Sequence, residues 1–194
     1  MRVPRYDLPK AAPGSLRLVQ ELVNTTDHEH GREFLPDVTA LRAWLQARAL
    51  LSSRTPVSPA DLARTLELRE ALRALLVANN DGRPSADLDV LNRVADRARL
   101  GVHFGERGIE LVSRAKGVDR ALGEILAVVA AALRDGSWER LKACRNCRWA
   151  FYDYSRNHSA AWCSMRLCGN RLKTRAYRRR SNAAQKGSQA SKHL

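Results

Sequence analysis

Residues 144–168 read CRNCRWAFYDYSRNHSAAWCSMRLC, and all four cysteines of the 194-residue chain fall inside this stretch. The spacing is C-x2-C-x15-C-x4-C, two close pairs that a returning chain can bring together around a tetrahedral Zn²⁺. A C-x2-C turn points two thiolates at one ion while backbone N–H groups screen their charge. The second pair closes the tetrahedron. Four thiolates leave no open position, so one structural Zn²⁺ held by Cys144, Cys147, Cys163 and Cys168 is expected. A C-x2-C redox pair would want a thioredoxin-like βαβ context, which is absent, and would leave Cys163 and Cys168 unexplained. Disulfides belong to oxidising compartments, and the first residues, MRVPRYDLPKAAPG, lack the apolar core of a secretion signal. An iron–sulfur cluster also uses four cysteines, and spacing alone does not separate it from zinc.

Between the pairs, Trp149, Phe151 and Asp153 alternate with Ala150, Tyr152 and Tyr154, which predicts a strand. Ser155-Arg156-Asn157 turns the chain back, and Trp162 is expected to pack on Trp149 or Phe151. So small a module has too little apolar area to fold alone, so metal binding must supply folding energy. Beyond Cys168, the run from Gly169 to Arg180 predicts a basic helix. At about 100° per residue, Arg171, Arg175, Arg178 and Arg179 share one stripe, with Leu172 and Ala176 beside it. The planar fork of Arg suits phosphate and guanine edges. The competing reading is a basic helix that only solubilises the terminus.

Charge along the chain sharpens the choice. The net charge is +14, yet residues 1–139 hold 20 Lys+Arg against 19 Asp+Glu, while residues 140–194 hold 14 against the single acid Asp153. A basic excess confined to one short module points to a polyanion. The candidate nucleic-acid contacts are Arg156, Asn170, Arg171, Lys173, Arg175, Arg178, Arg179 and Arg180, with double-stranded DNA as the expected partner.

Upstream, the pattern is mostly helical. Leu16, Val19, Leu22 and Val23 repeat at helical spacing, and Asn24-Thr25-Thr26 reads as a helix C-terminal cap whose polar groups could also line a small pocket. Residues 27–36 read as a loop, and its His28 and His30 lack the further ligands a metal needs. Asp37 can cap a helix carrying Val38, Leu41, Trp44 and Leu45 on one face. Ser58-Pro59-Ala60-Asp61 is a stronger start signal, for a helix to about Ala78 burying Leu62, Leu66, Leu72, Leu75 and Leu76. Asn79-Asn80-Asp81-Gly82 stops it, and Ser85 begins another with Leu88, Leu91 and Ala95 expected inward. Leu100–Phe104 and Ile109–Leu111 alternate with period two around Gly105-Glu-Arg-Gly108, a short hairpin. A long helix follows over about 117–134, with Leu122, Ile125, Leu126, Val129 and Leu133 in register. No phosphate loop, nucleophile elbow or convergent polar constellation marks residues 1–139 as an enzyme.

Cys144-x2-Cys147, Trp149-x-Phe151-x-Asp153, Asn157, Trp162-Cys163-Ser164-Met165 and Cys168-Gly169-Asn170-Arg171 together resemble the CGNR zinc finger family over residues 140–181. Leu22-Val23-Asn24-Thr25 and Trp44-Leu45 resemble the ABATE domain that usually precedes this finger. At Ser159-Ala160-Ala161 the chain departs from the family, where basic residues commonly precede the Trp-Cys pair. The resemblance implies a stress-responsive bacterial transcription regulator whose finger binds DNA. Its N-terminal domain would sense a small-molecule effector, with Asn24 and Thr25 as candidate ligand contacts.

The expected fold is α+β: a mostly helical N-terminal domain with a small β-hairpin, then a treble-clef or ribbon-like zinc module and a basic helix. The expected divisions are a disordered 1–13, an ABATE-like domain over 14–140, the finger with its helix over 141–181, and a disordered tail over 182–194. A cytoplasmic, nucleoid-associated DNA-binding regulator is the favoured function, with a homodimer among the candidate assemblies. The alternatives are an RNA-binding or ribosome-associated zinc protein and an enzyme with a zinc-stabilised tail.

Overall fold

The structure, a computed structural model, describes residues 10–82, 88–106, 108–170 and 174. The helical start signals act where the sequence places them. Asp37 accepts the N–H of Ala40 at the head of α2 (Val38–Gln46), after α1 (Leu16–Val23) has ended at its cap Asn24. Ser58 and Asp61 form a reciprocal capping box with Pro59 in the first turn, launching α3 (Pro59–Asp81). Gly82, at φ 72°, ends α3 in the left-handed conformation that glycine adopts without a Cβ penalty. The helix thus runs three residues beyond the expected end. After it come α4 (Asp89–Arg97) and α5 (Gly117–Asp135).

Three antiparallel hairpins interleave with these helices. Within the segment expected to be a loop, β1 (Thr26–Asp27) pairs with β2 (Arg32–Glu33). The predicted hairpin is β3 (Leu100–Gly105) with β4 (Gly108–Ser113), in the register Val102 to Leu111 and Phe104 to Ile109. The third joins β5 (Leu141–Ala143) to β6 (Ala150–Tyr152), pairing Leu141 with Tyr152, Lys142 with Phe151 and Ala143 with Ala150.

The helices enclose a core of Leu16, Val19, Leu22, Leu41, Leu45, Leu68, Leu72, Leu76, Leu122 and Ile125. Gly123 lets α5 press against the end of α4 and β4: a Cβ there would lie 2.6 Å from that of Ala98 and 2.8 Å from that of Ser113. The buried line of α3 is Leu68, Leu72 and Leu76, whereas Leu62, Leu66 and Leu75 are only partly buried at its margin.

The β5–β6 sheet is a wall shared by two cores. Period-two alternation sends Leu141, Ala143, Ala150 and Tyr152 into the helical core. From the opposite face, Phe151 enters a second core with Trp149 and the four cysteines. Residues 10–13, expected to be disordered, are held against this wall. Lys10 O accepts the N–H of Tyr152 at 2.9 Å, Ala11 O accepts Tyr154 Oη at 2.7 Å, and Ala12 is buried. Burial of one alanine and hydrogen bonds to two main-chain carbonyls outweigh the proline-rich composition that suggested disorder.

Candidate metal centre and its attachment to the helical unit

The first cysteine pair sits in the turn between β5 and β6. Cys144 donates its N–H to Trp149 O at 2.9 Å, and Arg148 donates back to Cys144 O at 3.0 Å. Arg148 takes a φ of 61° to close this turn, a conformation uncommon for a side chain with a Cβ. The second pair brackets a wide helical turn, Met165–Gly169. Ser164 caps it, its Oγ accepting the N–H of Leu167 and its carbonyl accepting Cys168 and Gly169.

The sulfurs of Cys147, Cys163 and Cys168 lie 3.5–3.6 Å apart, and all four ligand atoms fall within 4.8 Å of one another. A Zn–S bond of about 2.3 Å in a regular tetrahedron requires sulfur separations of about 3.8 Å. The donor set therefore fits one tetrahedral ion with only slight adjustment. All four side chains are buried. Hydrogen bonds from Cys147 and Cys163 hold Cys144 far below the ordinary thiol range, while the same contact to Cys144 pushes Cys147 up to about 12. Sulfurs this crowded cannot all ionise beside one another, and a dication is what permits it. Asn146 Nδ2 adds a donor 3.6 Å from the Cys168 sulfur. Among the described residues this is the one group of His, Cys, Asp and Glu positioned to hold a metal ion.

The return loop is organised by a buried ion pair. Lys142, on the β5 face opposite the helical core, donates to Asp153 Oδ2 at 2.8 Å and to the carbonyl of His158. Asp153 also accepts the backbone N–H groups of Ser155 and Ala160, both at 2.9 Å. Burial alone would raise this carboxyl, but the bonds from Lys142, Ser155 and Ala160 outweigh it and hold the pKa at about 2. The pair fixes residues 153–160 and so delivers Trp162 and Cys163 to the first cysteine pair. Trp162 packs against the cluster that contains Trp149 and Phe151, as expected.

Both outer edges of the shared sheet are gripped by amide side chains of the helical unit. On the β6 edge, Asn24 Nδ2 donates to Ala150 O at 3.0 Å while Ala150 N donates to Asn24 Oδ1 at 2.7 Å. One side-chain amide thus imitates a neighbouring strand. Gln20 donates to the same carbonyl at 3.0 Å and accepts the N–H of Ala12. On the β5 side, Asn79 donates to Leu141 O and Trp138 O, both at 2.9 Å, and Asn80 donates to Ala143 O at 2.6 Å and Ala161 O at 3.1 Å. Buried Arg73 spans the joint, donating to Val23 O at 2.6 Å and Arg148 O at 3.0 Å. Glu70 balances Arg73 and Arg69, and Arg69 also reaches Glu33 and Thr25 Oγ1.

The candidate ligand contacts therefore face inward. Asn24 is committed to Ala150, and Thr25 is fully buried, donating to Leu22 O and accepting from Arg69. The cavity bordered by Lys10, Gln20, Asn24, Trp149 and Phe151 measures about 20 Å³, room for a single water. Of the candidate nucleic-acid contacts, Arg156 and Asn170 are exposed, Arg156 on the return loop and Asn170 just past the Cys168 turn. Arg171, Lys173, Arg175, Arg178, Arg179 and Arg180 lie outside the described residues. Sequence reading missed Lys142, Arg69, Arg73, Asn79 and Asn80 as parts of this joint. The i, i+4 recurrence of Thr65, Arg69 and Arg73, continued one heptad on by Asn80, was the available signal.

No helix among the described residues is long and apolar enough to cross a membrane. No curated protein matches the chain. A family model described as "CGNR zinc finger" matches residues 140–181, and one described as "ABATE: Putative stress-induced transcription regulator" matches residues 16–157. The two matches overlap over the shared sheet and the return loop, where the two cores meet. The four cysteines, positioned for one metal ion, are the structural zinc site of that finger. Most of the chain lies within the first match, and the protein therefore belongs to the ABATE family, with a CGNR zinc finger joined to its helical unit.

Proposed function

We propose that the protein is a transcription regulator that binds double-stranded DNA through its zinc finger and the arginine-rich segment following Cys168. The observation that carries this reading is the charge distribution: all but one unit of the +14 net charge falls in residues 140–194. The family descriptions agree with it. The helical unit is nearly neutral and grips both edges of the finger's sheet, so it orients the finger rather than contacting phosphate itself. Arg156, Asn170, Arg171, Lys173, Arg175, Arg178, Arg179 and Arg180 would supply the contacts, phosphates setting the pose and base edges the preference. An effector acting on the helical unit would reach the finger through Asn24, Arg73 and Asn80, since these residues of the helical unit bond to the finger's backbone.

The test is affinity for duplex DNA, duplex RNA and single strands over a range of salt. Duplex DNA should bind tightest. Each neutralised phosphate contributes about 0.9 to the slope of log affinity against log salt. Changing Arg175 and Arg178 together to Gln should flatten that slope by about two units while zinc content stays at one per chain. Tighter binding to duplex RNA, or a double variant with unchanged affinity, slope and sequence preference, would overturn the reading.

A further inference from the structure

Three of the large apolar side chains left exposed in the described residues share one face of the β3–β4 hairpin. Phe104 is 77% exposed, Ile109 51% and Val102 48%. The register makes Phe104 and Ile109 direct partners, and Val102 the partner of Leu111, so the four form one continuous surface. Along the hairpin runs an open groove floored by Ala127, Ala130 and Ala131 of α5 and walled by Ile109 and Leu111. Its volume is about 610 Å³. Arg134 closes one end and ties the hairpin to α5 by donating to Ile109 O at 3.3 Å. A second depression continues along the same helix past Ala131 and Ala132 to Pro13 and Ser15.

We propose that this face is where two copies of the chain associate, the hairpin of each entering the α5 groove of the other. Two observations favour a second copy over other occupants. The ridge and the recess belong to the same patch, which is what a two-fold, isologous contact requires. The charge is also compatible with self-association. Residues 1–139 are almost balanced, whereas the finger segment is strongly basic, so copies meeting through the helical unit keep their basic ends free of the interface.

The patch also sets the expected strength. A six-residue strand is about 20 Å long, and the groove follows about 12 Å of helix. An interface of that extent belongs with the small, transient class, for which micromolar rather than nanomolar dissociation is expected. Paired fingers would then assemble on DNA at concentrations where the free protein is partly monomeric.

Sedimentation velocity of the full zinc-loaded chain, from about 1 µM to about 300 µM, tests the proposal. Wild type should shift from monomer to dimer across that range. Phe104→Glu, on the most exposed of these side chains, and Ala131→Arg, on the groove floor, should each weaken dimerisation at least tenfold. Both residues are exposed, so helical circular dichroism and melting temperature should be unchanged. A wild-type chain that stays monomeric throughout would overturn the proposal and leave the groove to a different molecule. So would a dimer insensitive to both variants, which would place the interface elsewhere. If only Phe104→Glu had an effect, insertion into the α5 groove would be wrong.

Discussion

The helical unit and the finger are held together by different chemistry. The first encloses leucines, valines and isoleucine, and its buried polar groups, among them Asn24, Arg73 and Asn80, are hydrogen-bonded. The second has Trp149 and Phe151 around four sulfurs, too few apolar groups to fold without metal. Apolar burial is non-directional and tolerates modest rearrangement. A four-thiolate site is directional and saturates with one ion. Joining such unlike cores requires a surface that satisfies both, and the β5–β6 sheet supplies it. Its two faces serve the two cores, and its edges are bonded by Gln20, Asn24, Asn79 and Asn80. The lesson is that the family's finger is part of the helical unit's own fold, so stability and metal content should be coupled.

The largest break in this comparison is truncation. Balanced charge suggests that a chain ending at Arg140 folds alone and melts cooperatively. The structure argues otherwise, because that cut removes Leu141, Ala143, Ala150 and Tyr152 from the helical core and strands the buried amides of Asn24 and Asn80. The loss should be about 5 kcal/mol or more, comparable to the total stability of many domains. Circular dichroism with temperature should show a broad, non-cooperative loss of helix. A sharp transition near that of the full chain would separate the two cores.

Next in size is Asn24→Leu. It deletes the paired bonds to Ala150 and leaves that residue's N–H buried without this acceptor. Denaturant unfolding should show a loss of about 3 kcal/mol. Zinc affinity should fall as well, because Ala150 lies on the strand that closes the first cysteine pair. A loss of stability with unchanged zinc affinity would mean that the edge bond does not couple the cores.

Gly123→Ala probes the helical core alone. The added methyl would overlap Ala98 and Ser113, at a cost of about 2 kcal/mol. Zinc affinity in the folded protein should not change, since neither neighbour touches the sheet. A matching loss of zinc would show the coupling to be general rather than carried by the β5–β6 wall.

The smallest effect is the pH dependence of the finger's loop. Asp153 sits near 2 in the folded chain, against about 3.9 when unfolded. A lowered folded pKa stabilises the fold fully above the unfolded value, and that contribution fades as pH falls from about 4 through 2. It is on the order of 2 kcal/mol. Asp153→Asn should therefore cost the zinc-loaded chain about 2 kcal/mol at neutral pH, where this contribution is fully present, measured by denaturant unfolding. An unchanged stability would contradict the role given to the Lys142 pair.

Much of this was legible in the sequence, for identifiable reasons. Ser58-Pro59 and Asp37 announce helices through local hydrogen bonds, and the β3–β4 hairpin shows because alternation and turn residues coincide. The cysteine spacing reveals the metal centre because four ligands must converge. The joint was harder to see. Leu141-Lys142-Ala143 is only three residues long and is a strand only because residues 150–152 pair with it. Arg69, Arg73 and Lys142 have the composition of a solvated surface, and their burial depends on partners 36 to 75 residues away, or, for Lys142, across a hairpin. Asn79-Asn80 carries the composition of a helix stop, while its side chains serve the finger's backbone.

The central claim is that the zinc site and the helical unit unfold as one. It is tested most directly by heating the zinc-loaded full chain while recording helical circular dichroism and zinc release to a colorimetric chelator together. The account predicts a single transition with coincident midpoints, moving together to lower temperature in Cys163→Ser. Zinc released well below the loss of helix, with the helical transition unchanged by Cys163→Ser, would contradict it.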